Sequence, residues 1–400
     1  MAVAGVLPVL LGGDANVYGM ARSFYEAYGV HSVAVCKKTL PALAHSRLVQ
    51  AAVQNPRLEE DEVFTAALQA LAGAYPDKTC LLVSCADGYT MQLARCRKEL
   101  APLYRFACQP PEVVQSLGTK EGFAAVCAAN GLRTPQSVTL ACGAPLPDLT
   151  FGWPVIVKPA DSPAYWNCRF PGKRKVYLVQ DRTELEQTVA TVAQGGYTGA
   201  LLLQEYIPGP DTALGVVNAY CARDGSVPWM VQGQVLLQER TPEGVGNYGA
   251  ILTEPARQDT ALLASLAGLL RQSDWHGFAN FDFKYAPNGT PVLFEMNPRQ
   301  GRASYACTAA GANLALPLVE DLVQQQPVTL PGLHPAVWHT APWPLVRRRC
   351  PDKNLLRRAE KLRRNGCGCR HLLARGEGPA RWMWYWVRQG AYGRKTRQER

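Results

Sequence analysis

Neither an export leader nor a bilayer anchor is expected from the sequence. It is apolar from Ala2 to Gly13, but no basic residue precedes Arg22, whereas a secretory leader opens with basic charge. Its longest helix-like apolar run, Ala261 to Leu270, falls well short of the roughly 20 residues that cross hydrocarbon. The 13 cysteines show no paired spacing, which argues against an extracellular disulfide framework and for reduced thiols. Cys367-Gly368-Cys369 has no second cysteine pair to complete a zinc site. The dinucleotide fingerprint G-x-G-x-x-G is absent, and so is any internal repeat. A cytoplasmic protein is the expectation.

What is present is a near-neutral body with a basic end. Residues 341–400 hold 17 of the 42 Lys+Arg and only 4 of the 32 Asp+Glu, a net charge of +13. The other 340 residues carry 25 basic and 28 acidic groups, a net charge of −3. The overall +10 therefore belongs to one segment, and that weakens a whole-protein nucleic-acid reading.

Four hundred residues suggest two or three domains, and 47% hydrophobic residues are ample for their cores. Residues 1–115 read as an N-terminal α/β unit. Its strand Val6–Leu11 runs into Gly12-Gly13-Asp14-Ala15-Asn16, and a helix then carries Met20, Phe24 and Tyr28. Strands at 33–36 and 80–85 and a helix at 63–71 follow. The strand ends bearing Asp14, Asn16, Asp87 and Gly88 are expected to face substrate, since ligands in open α/β sheets collect at carboxyl ends. Residues 116–195 form a smaller unit, with Thr119 capping a helix from Lys120 to Asn130 and Gly131 stopping it. A strand at 155–158 ends in Lys158, a loop spans 160–174, and a strand at 176–179 and a helix at 184–192 follow. Residues 196–330 form a larger unit, and 331–400 a basic, aromatic-rich extension.

The densest chemistry lies in Phe281-Asp282-Phe283-Lys284-Tyr285 and Phe294-Glu295-Met296-Asn297-Pro298-Arg299. Asn288-Gly289 between them is a hairpin signal, because a two-residue turn needs positive φ. With that turn Asp282 falls opposite Glu295, and Asn280 opposite Asn297. Phe281, Phe283, Phe294 and Met296 then point the other way, into a core. Facing carboxylates repel, but a divalent cation reverses the sign, and Asp282, Glu295 and the Asn297 carbonyl are hard oxygen donors suited to Mg²⁺.

Lys120, Lys158, Gln204-Glu205-Tyr206-Ile207-Pro208-Gly209, Asp211, the Asp282–Glu295–Asn297 set, Arg299 and Arg302 follow one another in an order that resembles the ATP-grasp superfamily. The segment Gly12 to Phe24 and the block Asn297-Pro298-Arg299-Gln300-Gly301-Arg302 resemble more specifically the D-aspartate ligases, which are carboxylate–amine ligases of cell-wall synthesis. The resemblance covers about the first 325 residues. It implies an α/β ATP-grasp fold behind an N-terminal α/β domain. It also implies ATP and Mg²⁺ as cofactors, and amide formation through an acyl phosphate. Lys120 and Lys158 would meet phosphates, and Gln204 to Ile207 adenine. Asp211 or Glu205 would take the ribose hydroxyls. Asp282, Glu295 and Asn297 would hold the metal. Arg299 and Arg302 would stabilise the transferring phosphoryl and the tetrahedral intermediate. The partners would be an amino-acid donor and an amine acceptor such as a lysine-containing UDP-MurNAc-peptide. A ligase of another amino acid or small peptide, and a non-catalytic nucleotide-binding module, remain alternatives.

Two features depart from the superfamily pattern. The loop from Lys158 to Val176 has a single glycine, Gly172, and bears Arg169, Lys173, Arg174 and Lys175, so it would clamp phosphate by side chains. The hinge opens on Gln204 where an acid is frequent. In the tail, Arg381-Trp382-Met383-Trp384-Tyr385-Trp386-Val387-Arg388 fits peripheral contact with an anionic membrane. Nucleic-acid binding is the less favoured alternative, and aromatic packing on the body needs no ligand at all.

Overall fold

The structure, a computed structural model, describes residues 3, 5–160, 162–239 and 246–395, apart from the side chains of 162, 163 and 395. Asp161, in the expected phosphate loop, lies outside them. No helix among the described residues is long and apolar enough to cross a membrane.

Four parallel strands open the chain: β1 (Val6–Leu11), β2 (Ser32–Cys36), β3 (Val49–Gln54) and β4 (Thr79–Ser84), ordered β3-β2-β1-β4. β1 is followed by the helix Ala15–Tyr28, capped by Asp14, whose Oδ1 accepts from the Asn16 amide at 3.0 Å. Met20 and Phe24 are buried as the four-residue spacing predicts. The turn between them is tight, for a Cβ on Gly13 would stand 2.4 Å from the Lys38 carbonyl. β3, with the weakly patterned sequence VQAAVQ, has no counterpart in the sequence reading.

The next four strands form a second sheet: β5 (Ser137–Ala141), β6 (Val155–Pro159), β7 (Tyr177–Val179) and β8 (Ala200–Glu205), antiparallel in the order β5-β8-β6-β7. Helix Lys120–Ala129 precedes it, with the Thr119 hydroxyl accepting from Gly122 N at 3.2 Å. Gly131, at φ 66°, stops that helix region as expected. A short helix, Ser162–Asn167, occupies part of the stretch read as loop.

A seven-stranded sheet completes the molecule: β9 (Leu214–Cys221), β10 (Trp229–Gln238), β11 (Tyr248–Thr253), β12 (Gly277–Tyr285), β13 (Pro291–Asn297), β14 (Ala336–His339) and β15 (Gly368–Arg370), ordered β13-β12-β9-β10-β11-β14-β15. One face packs under helix Thr260–Gln272, where Phe281, Phe283, Leu266 and Leu270 share a core. β14 and β15 come from the basic extension, so that segment adds two strands to this sheet. The helix Pro379–Lys395 follows. Its Tyr385 joins a core with Tyr18, Phe24 and Leu372, and its Arg381 is wholly buried. The aromatic stretch therefore divides: Tyr385 packs inward, while Trp382 and Trp386 are 42% and 53% exposed.

Candidate active site

The β12–β13 hairpin puts Asp282 opposite Glu295 and Asn280 opposite Asn297, as the sequence predicts. The route differs. The loop holds three residues, because Ala286 N donates to Thr290 O at 2.9 Å and only Gly289 has positive φ. That closure alone would shift the far end of the hairpin by one residue. A bulge between Asp282 and Phe283 restores the register. The extra residue on β13 is Phe294, which is thereby aimed away from the core expected for it. Phe294 packs against Ile207, Ala286 and Val292 and lines a cavity. Bulges beside active sites commonly re-aim a side chain in this way.

Two cavities meet at this hairpin end. The larger, about 1010 Å³, lies between the second sheet and the large one. Lys120, Lys158, Gln204, Glu205, Ile207 and Asp211 all line it, as expected from the sequence. The smaller, about 420 Å³, is lined by Asp14 and Asp87 from the N-terminal unit and by Arg299 and Arg302. Asp282, Glu295 and Asn297 belong to both walls.

At the junction Asp282 is crowded by negative charge. Burial and the neighbouring Glu295 carboxylate raise its pKa well above the usual carboxylate range. It is held by Tyr248, whose hydroxyl donates at 2.7 Å, and by Asn297 Nδ2 at 3.3 Å. Asn297 Nδ2 also donates to Asn280 Oδ1 at 3.0 Å, and its own Oδ1 accepts from Arg299 Nη2 at 3.1 Å. Asp282 and Glu295 thus form a paired oxygen site whose repulsion a divalent cation would relieve. Asn297 offers Asp282 its amide nitrogen and fits a metal only with that amide reversed. Gly301 seats the following segment, for its N–H donates to Asn218 Oδ1 at 3.1 Å and a Cβ there would stand 2.7 Å from the Asn280 amide.

In the larger cavity Lys158 Nζ donates to Gln204 Oε1 at 2.9 Å. Burial, then the charge of Lys120, push the Lys158 pKa down to about 8. Burial lowers that of Lys120 as well, with Glu295 opposing. Two crowded, desolvated ammonium groups favour an incoming polyanion. Of the two candidate ribose ligands, Glu205 is already committed: it accepts from Arg133 Nη2 at 2.6 Å and from Gln136 N at 3.1 Å. Asp211 accepts from Gln238 N at 3.2 Å and lines the cavity. The sequence reading missed Lys284, which donates to the Ile207 and Gly209 carbonyls at 2.8 and 2.7 Å and so fixes the hinge.

The four expected substrate residues separate. Asp14 lines the smaller cavity, and Asp87 lines both. Asn16 lines neither, because it is buried, its amide donating to the Cys85 and Gln300 carbonyls at 2.9 and 3.2 Å. It ties β4 to the Arg299 segment. Gly88 sits in the first turn of the helix Asp87–Arg95 and lines neither cavity. Tyr248 and the C-terminal helix residues Arg388, Gln389 and Tyr392 also line the smaller cavity, and the sequence reading gave them no role there.

No family model matches the chain. The D-aspartate ligase of Enterococcus faecium (strain Aus0004) is 35% identical over 330 residues, covering 80% of this chain and 77% of that protein. The chain belongs to the D-aspartate ligase family. It is an enzyme, a ligase that forms a carbon–nitrogen bond. Among solved structures it resembles the L-amino acid ligase from Bacillus licheniformis, with TM-score 0.58 and 17% identity over 80% of this chain and 74% of that one. The N5-carboxyaminoimidazole synthetase from Staphylococcus aureus gives TM-score 0.58 and 15% identity over 84% and 82%. The fold is ATP-grasp.

Proposed function

We propose that this enzyme uses ATP to activate the carboxylate of an amino acid as an acyl phosphate and then passes the acyl group to an amine. The observation that carries this reading is the shared wall: Asp282, Glu295 and Asn297 stand where a cavity lined by lysines meets one lined by arginines. A nucleotide in the larger cavity with its phosphates toward Lys120 and Lys158 would direct its terminal phosphoryl at an acid in the smaller one. Lysine suits the phosphates as an adaptable point charge. Bound Mg²⁺, held by Asp282 and Glu295, would neutralise phosphate oxygens during transfer. Arg299, fixed by Asp87 and by the Asn297 carbonyl, would meet the developing charge with a preset guanidinium fork. Positioning and charge neutralisation carry such phosphoryl chemistry.

The donor in this reading is D-aspartate, and the acceptor is the lysine amine of a peptidoglycan precursor. The D-aspartate ligase relative and the segments Gly12 to Phe24 and Asn297 to Arg302 support that donor. The outward face of the helix Pro379–Lys395, with Trp382, Met383, Trp386 and Val387 exposed and Arg370 stacked on Trp386, would be the part that touches an anionic membrane. The test is phosphate release from purified protein with Mg-ATP, a panel of D- and L-amino acids, and a lysine-containing UDP-MurNAc-pentapeptide. ADP formation that requires both D-aspartate and the peptide supports the reading, and turnover with a different pair replaces the donor or acceptor.

A further inference from the structure

The helix Pro379–Lys395 is built with its polar stripe inward. Arg381, Tyr385, Arg388 and Tyr392 recur at spacings of four, three and four, so they share one face. Arg381 and Tyr385 are buried, and Arg381 Nη1 donates to the Ala44 carbonyl at 2.7 Å, anchoring the helix on the N-terminal unit. Gln389 Nε2 donates to the Thr340 carbonyl at 2.9 Å, anchoring it on the large sheet. Held at both sides, the helix directs Arg388 into the smaller cavity, where Arg302 arrives from the segment after β13.

Among the described residues neither Arg302 nor Arg388 makes a hydrogen bond or ion pair, and Arg388 has only the Trp384 ring, 5.5 Å from its carbon. Burial and the charge of Arg302 both act to lower the Arg388 pKa, so the two cations feel one another. Among the described residues one carboxylate, Glu239, acts on both electrostatically and forms an ion pair with neither. Its own pKa is raised by burial and lowered by both arginines. Among the described residues the corner sets two cations against one carboxylate, with Arg302 open to solvent and Arg388 part-buried, so an anion entering the cavity can meet both guanidinium groups. A guanidinium fork matches a carboxylate in two-point geometry.

We propose that Arg388, with Arg302, binds the carboxylate of the amino-acid donor that does not react, and so selects a dicarboxylic donor. This rests on the ligase reading above. An amino diacid activated at one end keeps a charged group at the other. The Asp282–Glu295 end of the same cavity would take the reacting carboxylate, and the Arg302–Arg388 corner the second.

The test compares wild type with Arg388→Gln and Arg388→Lys in steady-state ATP turnover, using as donors D-aspartate and the two analogues that each lack one of its carboxylates, β-alanine and D-asparagine, with the UDP-MurNAc-pentapeptide as acceptor. Wild-type turnover with D-aspartate comes first, since its absence defeats the ligase reading and not this inference alone. Loss of a charge-assisted contact predicts that Arg388→Gln raises the KM for D-aspartate by about tenfold to a hundredfold. The KM for ATP should hold, and the preference for D-aspartate over the analogue that keeps the reacting carboxylate, which is the one turned over, should shrink by a similar factor. Arg388→Lys should restore part of that preference. Arg394→Ala, exposed on the same helix, controls for helix integrity and should leave the donors' kinetics alone. A D-aspartate KM unchanged in Arg388→Gln would overturn the proposal. So would a rise confined to the peptide KM, which would assign the corner to the acceptor.

Discussion

Arg299 and Asp87 form an ion pair across 212 residues of sequence, with Nη2 donating at 2.8 Å and Nε 2.8 Å from the other carboxylate oxygen without the alignment of a hydrogen bond. The pair joins the first turn of a helix in the N-terminal unit to the segment leaving β13, and it stands where the two cavities meet. Arg299 also donates to Asn297 Oδ1, so one guanidinium links the N-terminal unit to the candidate metal site.

Asp87→Asn should free Arg299 without unfolding the protein, because Asp87 is itself more than half exposed. The expected result is a fall in kcat of about tenfold with a smaller change in the KM for ATP. Steady-state phosphate release checks it. An equal loss in a variant with a lowered melting temperature would instead mark a structural role.

Glu295→Gln removes one of the two facing carboxylates and the main charge that raises the Asp282 pKa. Turnover should fall by about a hundredfold or more and the Mg²⁺ concentration for half-maximal activity should rise, while the melting temperature without metal holds or rises. Activity at Mg²⁺ requirements equal to wild type would remove Glu295 from the metal site.

The Lys158 ammonium sits low, near about 8, because it is buried beside Lys120. A bound polyphosphate favours its charged form and raises that pKa. Nucleotide binding should therefore take up a proton above about pH 8, and affinity should weaken as pH rises through that value. Calorimetric titration with a non-hydrolysable ATP analogue, in buffers of different ionisation enthalpy, measures the uptake. Lys158→Met should abolish the part due to this residue. Buffer-independent heats in wild type would contradict the assignment.

The exposed Trp382 and Trp386 predict binding to vesicles rich in phosphatidylglycerol and weak binding to phosphatidylcholine alone. A Trp382→Ser, Trp386→Ser double variant should lose co-sedimentation and retain activity on soluble substrates. Equal sedimentation of variant and wild type would remove the membrane contact.

Much of this site is legible in the order and spacing of polar residues. Asp282 and Glu295 can be paired from a single Asn-Gly signal, because register is a counting problem once a turn is placed. The count succeeds for a reason the sequence does not contain: a three-residue loop and a bulge at Phe294 cancel. Phe294 is aimed by its packing against Ile207, a contact between parts of the chain that no local pattern links. β3 escaped because it lacks a β-branched run and is only half buried. Lys284 and Glu205 exchange their expected prominence for the same kind of reason, since each is defined by its partner across the fold. The basic end misleads most. Its composition suggests a solvated or membrane-bound tail, yet two of its strands extend the main sheet and its last helix lines the smaller cavity. Helical spacing in 381–392 displays a stripe, but the surface that stripe covers is set by tertiary structure.

The most direct test of the central claim follows oxygen from the donor acid to phosphate. D-aspartate with carboxyl groups enriched in heavy oxygen is turned over with Mg-ATP and the UDP-MurNAc-pentapeptide, and the released phosphate is analysed by mass spectrometry. Activation as an acyl phosphate predicts one heavy oxygen in each phosphate released. Amide product accompanied by unlabelled phosphate would contradict the account.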